Sequence, residues 1–174
     1  MLDIRKATAN DAASLAILAE RTFRDTYSSD NPAKQMDLHC ADSFAPEIQL
    51  KEILDSKIIT IIAVDSTAEL VAFAQLRLES VTHCVKTVRP SELYRIYVSS
   101  EYHGHGLGRQ IMNEVLNAAE QHNCDSLWLG VWEHNPRAVA FYHKFGFCVV
   151  GEHSFKLGQD PQRDLIMSVN IGGQ

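Results

Sequence analysis

Residues 94–109 are the most informative part of this chain and read Tyr94-Arg95-Ile96-Tyr97-Val98, then residues 99–102, then His103-Gly104-His105-Gly106-Leu107-Gly108-Arg109. It predicts a β-strand, followed by a glycine-rich loop that opens directly into an amphipathic helix. Such a loop leaves backbone N–H groups unpaired at the positive end of the helix dipole, where phosphate binds favourably. The glycines allow positive φ angles and a close approach of the ligand. The stretch therefore predicts a site for a phosphate-bearing cofactor, and a tight turn without a ligand is the alternative.

The pattern around this stretch predicts a mixed α/β sheet. Strands are expected at residues 2–6, 58–64, 69–78, 92–98, 126–132, 148–156 and 164–170. Helices are expected at 11–27, at 32–55 with an interruption near Phe44-Ala45-Pro46, at 107–122, and from Asn135 onward, while 80–91 reads as a loop. The helical crossover makes the strands at 92–98 and 126–132 parallel. We expect one domain over 1–174 with its core in 2–170, built on about seven strands with helices on both faces.

Composition and charge exclude several classes of protein. The chain has 174 residues, 45% of them apolar, a formal net charge of −6 and a pI near 5.7. Since no basic stripe is evident, we expect no nucleic-acid partner. No apolar run approaches the length of a membrane span and the first residues form no signal region, so a cytoplasmic protein is expected.

The cysteines and histidines give no metal signature. Cys40, Cys84, Cys124 and Cys148 lie far apart, without C-x-x-C spacing, and we interpret them as reduced, mostly buried thiols. His103 and His105 lie within the glycine loop, and no third ligand is apparent. No metal is therefore expected.

Two familiar phosphate-binding motifs do not fit the loop. A P-loop needs Gly-Lys-Ser/Thr at the start of the helix, whereas Gly108 is followed by Arg109 and Gln110. A dinucleotide fingerprint needs G-x-G-x-x-G and an acidic residue that ends the next strand. Here the glycines fall one residue short, and Asp125 precedes that strand.

A second informative segment runs from Trp132 to Phe147. Asn135 is suited to an N-cap, and Pro136 to the first helical position. One apolar face follows at helical spacing, and Gly146 is suited to a left-handed position after the helix. This much describes a short helix with clear start and stop signals.

Both segments resemble motifs of the GCN5-related N-acetyltransferase (GNAT) superfamily. Tyr102-His-Gly-His-Gly-Leu-Gly-Arg109 resembles the acyl-CoA loop of that family, Q/R-x-x-G-x-G/A, with His103 where the family has Gln or Arg. The pattern N-x-x-A-x-x-F-Y-x-x-x-G-F from Asn135 is similar to the second cofactor motif. The resemblance extends to residue 170, and segments at 95–98, 128–133 and 151–167 look like those of the bacterial PaiA-type polyamine N-acetyltransferases.

The resemblance implies the GNAT acyl-CoA N-acyltransferase fold, acetyl-CoA as the acyl donor and a set of residues that contact it. In that family the loop amides hold the pyrophosphate of coenzyme A, and pantetheine enters between two splayed parallel strands, where Gly130 suits the opening. A strand N–H would stabilise the oxyanion. The implied acetyl-CoA contacts are the strand residues Ile96, Tyr97 and Val98, the loop residues His103, Gly104, His105, Gly106, Leu107, Gly108 and Arg109, and the second-motif residues Asn135, Tyr142 and Lys144.

The resemblance also implies two catalytic residues. Tyr142 would lie near the sulfur and protonate the departing thiolate, and the alternative is that its ring only packs in the core. Glu92 matches a position where family members often have a glutamate, so it is a candidate base for the amine; the alternative is a solvated edge charge. Tyr94 and Tyr97 are also near enough to be considered. The four cysteines need no catalytic role.

The predicted activity is acetyl transfer from acetyl-CoA to a primary amine by direct attack in a ternary complex, with a polyamine favoured as the substrate. The alternatives are a protein N-terminal or lysine acetyltransferase and a non-catalytic acyl-CoA-binding regulatory module; the pairing of Asn135 with Tyr142 argues against the module. Substrate choice is expected in residues 28–50 and in the 80–91 loop. The first region carries acidic residues that attract a polyamine or only form a solvated face. The sequence does not determine the oligomeric state, and a homodimer is one of the states it allows.

Overall fold

The computed structural model describes residues 1–172, with one side chain, that of residue 155, left out of account. Residues 173 and 174 of the predicted domain lie outside the described part. The strands are β1 (Asp3–Lys6), β2 (Ile58–Val64), β3 (Leu70–Leu78), β4 (Pro90–Val98), β5 (Ser126–Trp132), β6 (Cys148–Leu157) and β7 (Asp160–Asn170). The helices are α1 (Ala12–Tyr27), α2 (Ala33–Phe44), α3 (Pro46–Leu54), α4 (Leu107–Gln121) and α5 (Pro136–His143).

All seven strands described lie in one sheet, in the order β1-β2-β3-β4-β5-β7-β6. Only β4 and β5 pair in parallel, and every other neighbouring pair is antiparallel. The predicted mixed α/β sheet of about seven strands is thus confirmed, as is the parallel pair that the crossover helix α4 requires.

The predicted interruption of the 32–55 helical region is confirmed, because Ala45 is extended (ψ 146°) and Pro46 begins α3. Two predicted strand starts were wrong by a few residues. Strand β4 begins at Pro90, within the predicted loop, and β7 begins at Asp160 rather than at 164. None of the helices in residues 1–172 is long and apolar enough to span a membrane.

The sheet is covered on both faces by apolar side chains. One buried cluster joins the sheet to α4 through Leu107, Ile111 and Val115, and residues of α5 pack against it. The other cluster joins the opposite face to α1 and α2 through Leu15, Phe23 and other residues. The predicted helices on both faces are therefore present, and the sheet is a rigid support for the loops at its edge.

Strands β4 and β5 separate soon after they begin to pair. Their parallel pairing covers only Pro90–Glu92 against Ser126–Trp128. Next to its other neighbour β3, strand β4 has a bulge at Tyr94, since Gln75 is opposite Arg95 and Leu76 is opposite Leu93. A bulge bends its strand, so β4 turns away while β5 continues along β7. The result is a wedge-shaped gap between two parallel strands.

Candidate active site

The glycine loop is anchored at both ends and exposed in the middle. The Tyr102 hydroxyl donates to Asp65 Oδ2 at 3.1 Å, and Leu107, the first residue of α4, is buried in the core. Between them Gly104 (φ 79°) and Gly106 (φ 81°) are left-handed, and a Cβ on either would meet no atom within 4 Å. The loop is thus rigidly held, with open space in front of its backbone.

The backbone N–H groups of residues 104–109 donate no hydrogen bond to any described residue of the chain, and the first helical bond here runs from Gln110 N to Gly106 O. A run of free amides at the start of a fifteen-residue helix is suited to a diphosphate. The residues present therefore fit the phosphate portion of a coenzyme A thioester.

His103 contacts the end of β4, and its role as a cofactor contact stays a prediction. Its Nε2 donates to the carbonyl oxygen of Val98 at 2.8 Å, at the end of β4. The imidazole therefore closes the loop back onto the strand. His105, Arg109 and Lys144 are exposed, and their roles as cofactor contacts stay predictions.

Helix α5 lies against the glycine loop. Asn135 Oδ1 accepts a hydrogen bond from Ala138 N at 3.2 Å, which confirms the predicted N-cap. A Cβ on Gly108 would lie 3.5 Å from the Phe141 ring and 3.9 Å from a methyl of Val98. The two sequence motifs therefore meet at the open end of the wedge, as their resemblance to cofactor motifs requires.

The open edge of β4 presents alternate backbone groups. Ser99 N donates to Val71 O, its directly opposite partner in β3, at 2.8 Å. In an antiparallel pair the bonded positions alternate, so the backbone of Tyr97 also faces β3 while Ile96 and Val98 face the gap. Main-chain pairing with a ligand stays a prediction for Ile96 and Val98. Tyr97 contributes its phenol instead.

Three tyrosines from three elements meet beside the gap. Burial raises the pKa of Tyr27 on α1. Hydrogen bonds of its hydroxyl with Tyr97 and Asn135 lower the pKa, but burial has the larger effect. Burial also raises the pKa values of Tyr97 and Tyr142 well above their ordinary range, with Tyr27 as an added cause. These phenols keep their protons at neutral pH, so Tyr142 is suited to donate one.

A cavity of about 190 Å³ straddles the gap. Its β4 wall carries Glu92, Tyr94 and Tyr97, its β5 wall carries Gly130 and Trp132, and its far wall is formed by β6 and β7. The β6–β7 turn is tied to α2, because Gln159 N donates to Gln35 Oε1 at 2.6 Å. The cavity is therefore enclosed by parts of the chain distant in sequence.

Glu92 lines this cavity and is already partnered. Its Oε2 accepts from the Ser80 hydroxyl at 2.7 Å and lies 3.8 Å from Arg77 Nη1. The side chain is largely buried, so it is not the solvated edge charge considered above. Its role as a base is untested and stays a prediction.

Asp164 on β7 is a cavity residue that sequence reasoning missed. It is 7% exposed, its Oδ1 is buried without a hydrogen-bond partner, and its Oδ2 lies 3.8 Å from His153 Nε2. Burial raises its pKa to about 6. The one available signal was an acidic residue directly before the apolar run Leu165-Ile166-Met167, and only strand pairing shows where it points.

The two regions predicted to select the substrate line the cavity only in part. Asn31 lines the cavity from the 28–50 region, whereas the 80–91 loop contributes only the Ser80 bond to Glu92. Strands β6 and β7 were predicted as strands but not as part of the substrate site, and they supply His153, Leu157, Gln162 and Asp164 to the cavity. Sequence patterns cannot show this, because β7 pairs with β5 across the whole of α5 and β6.

The predicted thiols and metal-ligand residues are distributed as follows. Cys40 and Cys124 are buried, Cys84 is half-buried and Cys148 is exposed, so the expectation of mostly buried cysteines was too broad. Within residues 1–172 no three His, Cys, Asp or Glu side chains are grouped as a metal site.

Comparison with known proteins agrees with this geometry. The model of the acetyltransferase (GNAT) family matches residues 19–147, and the chain belongs to that family. It is an acyltransferase of the acetyl-CoA-dependent N-acetyltransferase type.

Individual relatives differ in how much of the chain they match. An uncharacterized N-acetyltransferase of Lactobacillus delbrueckii subsp. lactis is 27% identical over 94% of each chain. The spermine/spermidine N(1)-acetyltransferase of Bacillus subtilis is 33% identical over 36% of this chain and 42% of its own. The PaiA N-acetyltransferase of Thermoplasma acidophilum, solved with coenzyme A, superposes with a TM-score of 0.78 at 22% identity, covering 98% of this chain and 99% of its own.

Proposed function

We propose that this enzyme acetylates a small primary amine, with a polyamine as its substrate class, by direct attack within a ternary complex. The observation that carries the proposal is the cavity that straddles the β4–β5 gap and holds two carboxyl groups, Glu92 and Asp164. We also propose that residues 1–174 act as one catalytic domain.

The chain has a group suited to contact each part of the acetyl donor, acetyl-CoA. The free amides of 104–109 are suited to the diphosphate, Ile96 and Val98 to main-chain pairing in the gap, and Asn135 to the pantetheine region. When bound, acetyl-CoA supplies a thioester carbonyl as the electrophile. Tyr142 keeps its proton because of burial, so its hydroxyl can donate that proton to the sulfur that departs.

The acceptor cavity is suited to a cation on a flexible aliphatic chain. Trp132 packs edge-on against Tyr27 with ring centroids 5.6 Å apart. Tyr94 also lines the cavity, but its ring is already in contact with the guanidinium groups of Arg77 and Arg95. Aromatic faces and carboxylates together stabilise ammonium groups. The partial likeness to the Bacillus subtilis spermine/spermidine enzyme supports the same substrate class.

The test is a thiol-release assay with acetyl-CoA against polyamines, amino sugars and peptides. We expect spermidine or spermine to give the highest kcat/KM. A preference for peptides would support the protein-acetylating alternative and contradict the polyamine proposal. Tight acetyl-CoA binding without thiol release from any amine would contradict the enzymatic proposal.

A further inference from the structure

The Asp164 carboxyl group lies over the backbone of β5 at the mouth of the wedge. A Cβ on Gly130 would lie 3.0 Å from Asp164 Oδ2 and 3.1 Å from His153 Cε1. The absence of a side chain at Gly130 therefore leaves room for these two groups. Along the strands, Asp164 pairs with Trp132 on β5 and with His153 on β6.

This carboxyl group has no fixed cation among residues 1–172. Its Oδ1 has no hydrogen-bond partner, and its one ionic neighbour is the partly exposed His153 imidazole. The other titratable groups that line the same cavity are Tyr27 from α1, Tyr94 and Tyr97 from β4, and Glu92 from β4. Arg163 cannot compensate Asp164, because it pairs with Glu133 and Glu152.

The contrast with Glu92 is informative. Glu92 has Arg77 and Ser80 as partners, so its charge is compensated within the protein. Burying an unpaired carboxylate is costly, and the cost is relieved when a cation binds beside it. Of the two carboxylates in the cavity, Asp164 is therefore the one that a ligand must complete.

We propose that Asp164 binds the ammonium group of the amine substrate and accepts its proton, and that His153 passes this proton to solvent. The inference rests on the proposed function and assigns the residue that recognises the amine. In this inference Asp164 takes the role of base that the sequence predicted for Glu92, whose charge is already compensated by Arg77 and Ser80.

The proton balance closes with the residues present. The substrate ammonium loses one proton to the Asp164 carboxylate, and the nitrogen lone pair forms the new C–N bond as the C–S bond breaks. The Tyr142 hydroxyl protonates the sulfur and regains a proton from the acylated nitrogen. One proton per turnover remains on Asp164, and it leaves by way of His153, whose side chain is 35% exposed. Because the 3.8 Å between Asp164 Oδ2 and His153 Nε2 is longer than a hydrogen bond, this transfer runs through a bridging water.

The buried position of Asp164 also predicts how kcat/KM for the amine depends on pH. Asp164 accepts a proton only when ionised, and burial raises its pKa to about 6. We therefore expect kcat/KM for the amine to fall about tenfold for each pH unit below about 6. Of the groups named above that face the same cavity, Tyr27 and Tyr97 have pKa values raised by burial, so these two phenols stay neutral in this range.

The main test compares wild type with Asp164→Asn, using spermidine as the amine. We expect kcat/KM for spermidine to fall by roughly 10²- to 10³-fold and the acidic limb of the pH profile to disappear. The affinity for acetyl-CoA, measured by calorimetry, should stay at the wild-type value. Unchanged kcat/KM with an unchanged acidic limb would overturn the inference.

A second readout needs no acetyl donor. Carboxyl ¹³C NMR of the free chain should show one aspartate that titrates near pH 6, absent from Asp164→Asn and titrating lower when spermidine is added. No such shift with spermidine would overturn the inference even if the wild type acetylates no amine at all. Failure of the proposed function and failure of this inference are thereby distinguished.

Two further variants separate the local role from a folding defect. Asp125→Asn is a matched control, because Asp125 also has a buried unpartnered oxygen but lies at the opposite end of β5. This variant should keep the acidic limb of the pH profile of kcat/KM. Gly130→Ala crowds Asp164 without removing it and should raise KM for spermidine several-fold. A Gly130→Ala enzyme with wild-type KM, together with an unaffected Asp164→Asn enzyme, would count against the site.

Discussion

At the scale of single residues, burial decides which groups hold protons. Tyr142 and Asp164 both have raised pKa values, chiefly because their charged forms would lose contact with water. The consequence differs with the group. A phenol with a raised pKa stays a proton donor at neutral pH. A carboxyl group with a pKa near 6 instead changes its charge at a pH only slightly below neutral.

The first prediction concerns Tyr142. Tyr142→Phe removes the hydroxyl and keeps the ring, which packs edge-on against Phe147 at 5.9 Å between centroids. We expect kcat to fall by roughly 10²-fold with little change in acetyl-CoA affinity, as is usual for loss of a general acid. Steady-state kinetics and calorimetry provide the check, and an unchanged kcat would remove Tyr142 from the mechanism.

The second prediction concerns stability. The pKa of Asp164 is raised from 3.8 to about 6, so its contribution to folding is fully present below pH 3.8 and is lost as pH rises through 6. At pH 8 the ionised group is a cost that Asp164→Asn removes. We expect this variant to raise the free energy of unfolding by about 1–3 kcal/mol at pH 8, with the gain vanishing near pH 4.

The control for this stability effect is Asp125→Asn. Burial would raise the pKa of Asp125, but hydrogen bonds from the backbone N–H groups of Arg89 and Val88 outweigh burial and lower it. Its contribution is therefore present above pH 3.8 and is lost as pH falls. Urea unfolding should show Asp125→Asn less stable than wild type at pH 8, and equal signs for the two variants would contradict the assignment.

At the scale of elements, the glycine loop and α4 act as one unit. Tyr102 and Leu107 anchor the loop, and the glycines between them turn six amides toward open space. A strand, a turn and a helix that follow one another in the chain suffice for this arrangement. The motif could therefore be predicted from sequence alone.

The third prediction tests this unit. Gly106→Val places a branched side chain in front of the free amides and strains a left-handed position (φ 81°). We expect acetyl-CoA binding to be lost in calorimetry. Gly172→Val is the matched control, since Gly172 is also left-handed (φ 69°) with no atom within 4 Å of an added Cβ. Wild-type affinity in Gly106→Val would reject the loop as the cofactor site.

At the scale of the whole molecule, a buried polar network joins the α2–α3 corner to the sheet. Arg95 Nη1 donates to Glu52 Oε2 at 2.7 Å and to Gln75 Oε1 at 2.6 Å, and Nη2 donates to the carbonyl of Ser43 at 3.3 Å. The bulge at Tyr94 directs Arg95 toward this corner. The same distortion that opens the wedge therefore also places the network.

The fourth prediction tests the network. Arg95→Met leaves Glu52 as an uncompensated, largely buried charge and should lower the free energy of unfolding by about 3–5 kcal/mol. Arg24→Met, which breaks exposed pairs with Glu20 and Asp37, should cost no more than about 1 kcal/mol. Urea unfolding of both variants provides the comparison, and equal losses would contradict the assigned role of Arg95.

Four features could be predicted from the amino-acid sequence: the order of strands and helices along the chain, the parallel β4–β5 pair, the free amides at the start of α4 and the Asn135 cap. Each of these follows from residues close together in the chain, where periodicity, glycine and capping side chains act directly. The folded chain was needed to show that Asp164, His153 and Tyr27 share one cavity with Glu92. These residues lie on strands and helices far apart in sequence, and the bulge at Tyr94 and the pairing of β7 between β5 and β6 bring them together.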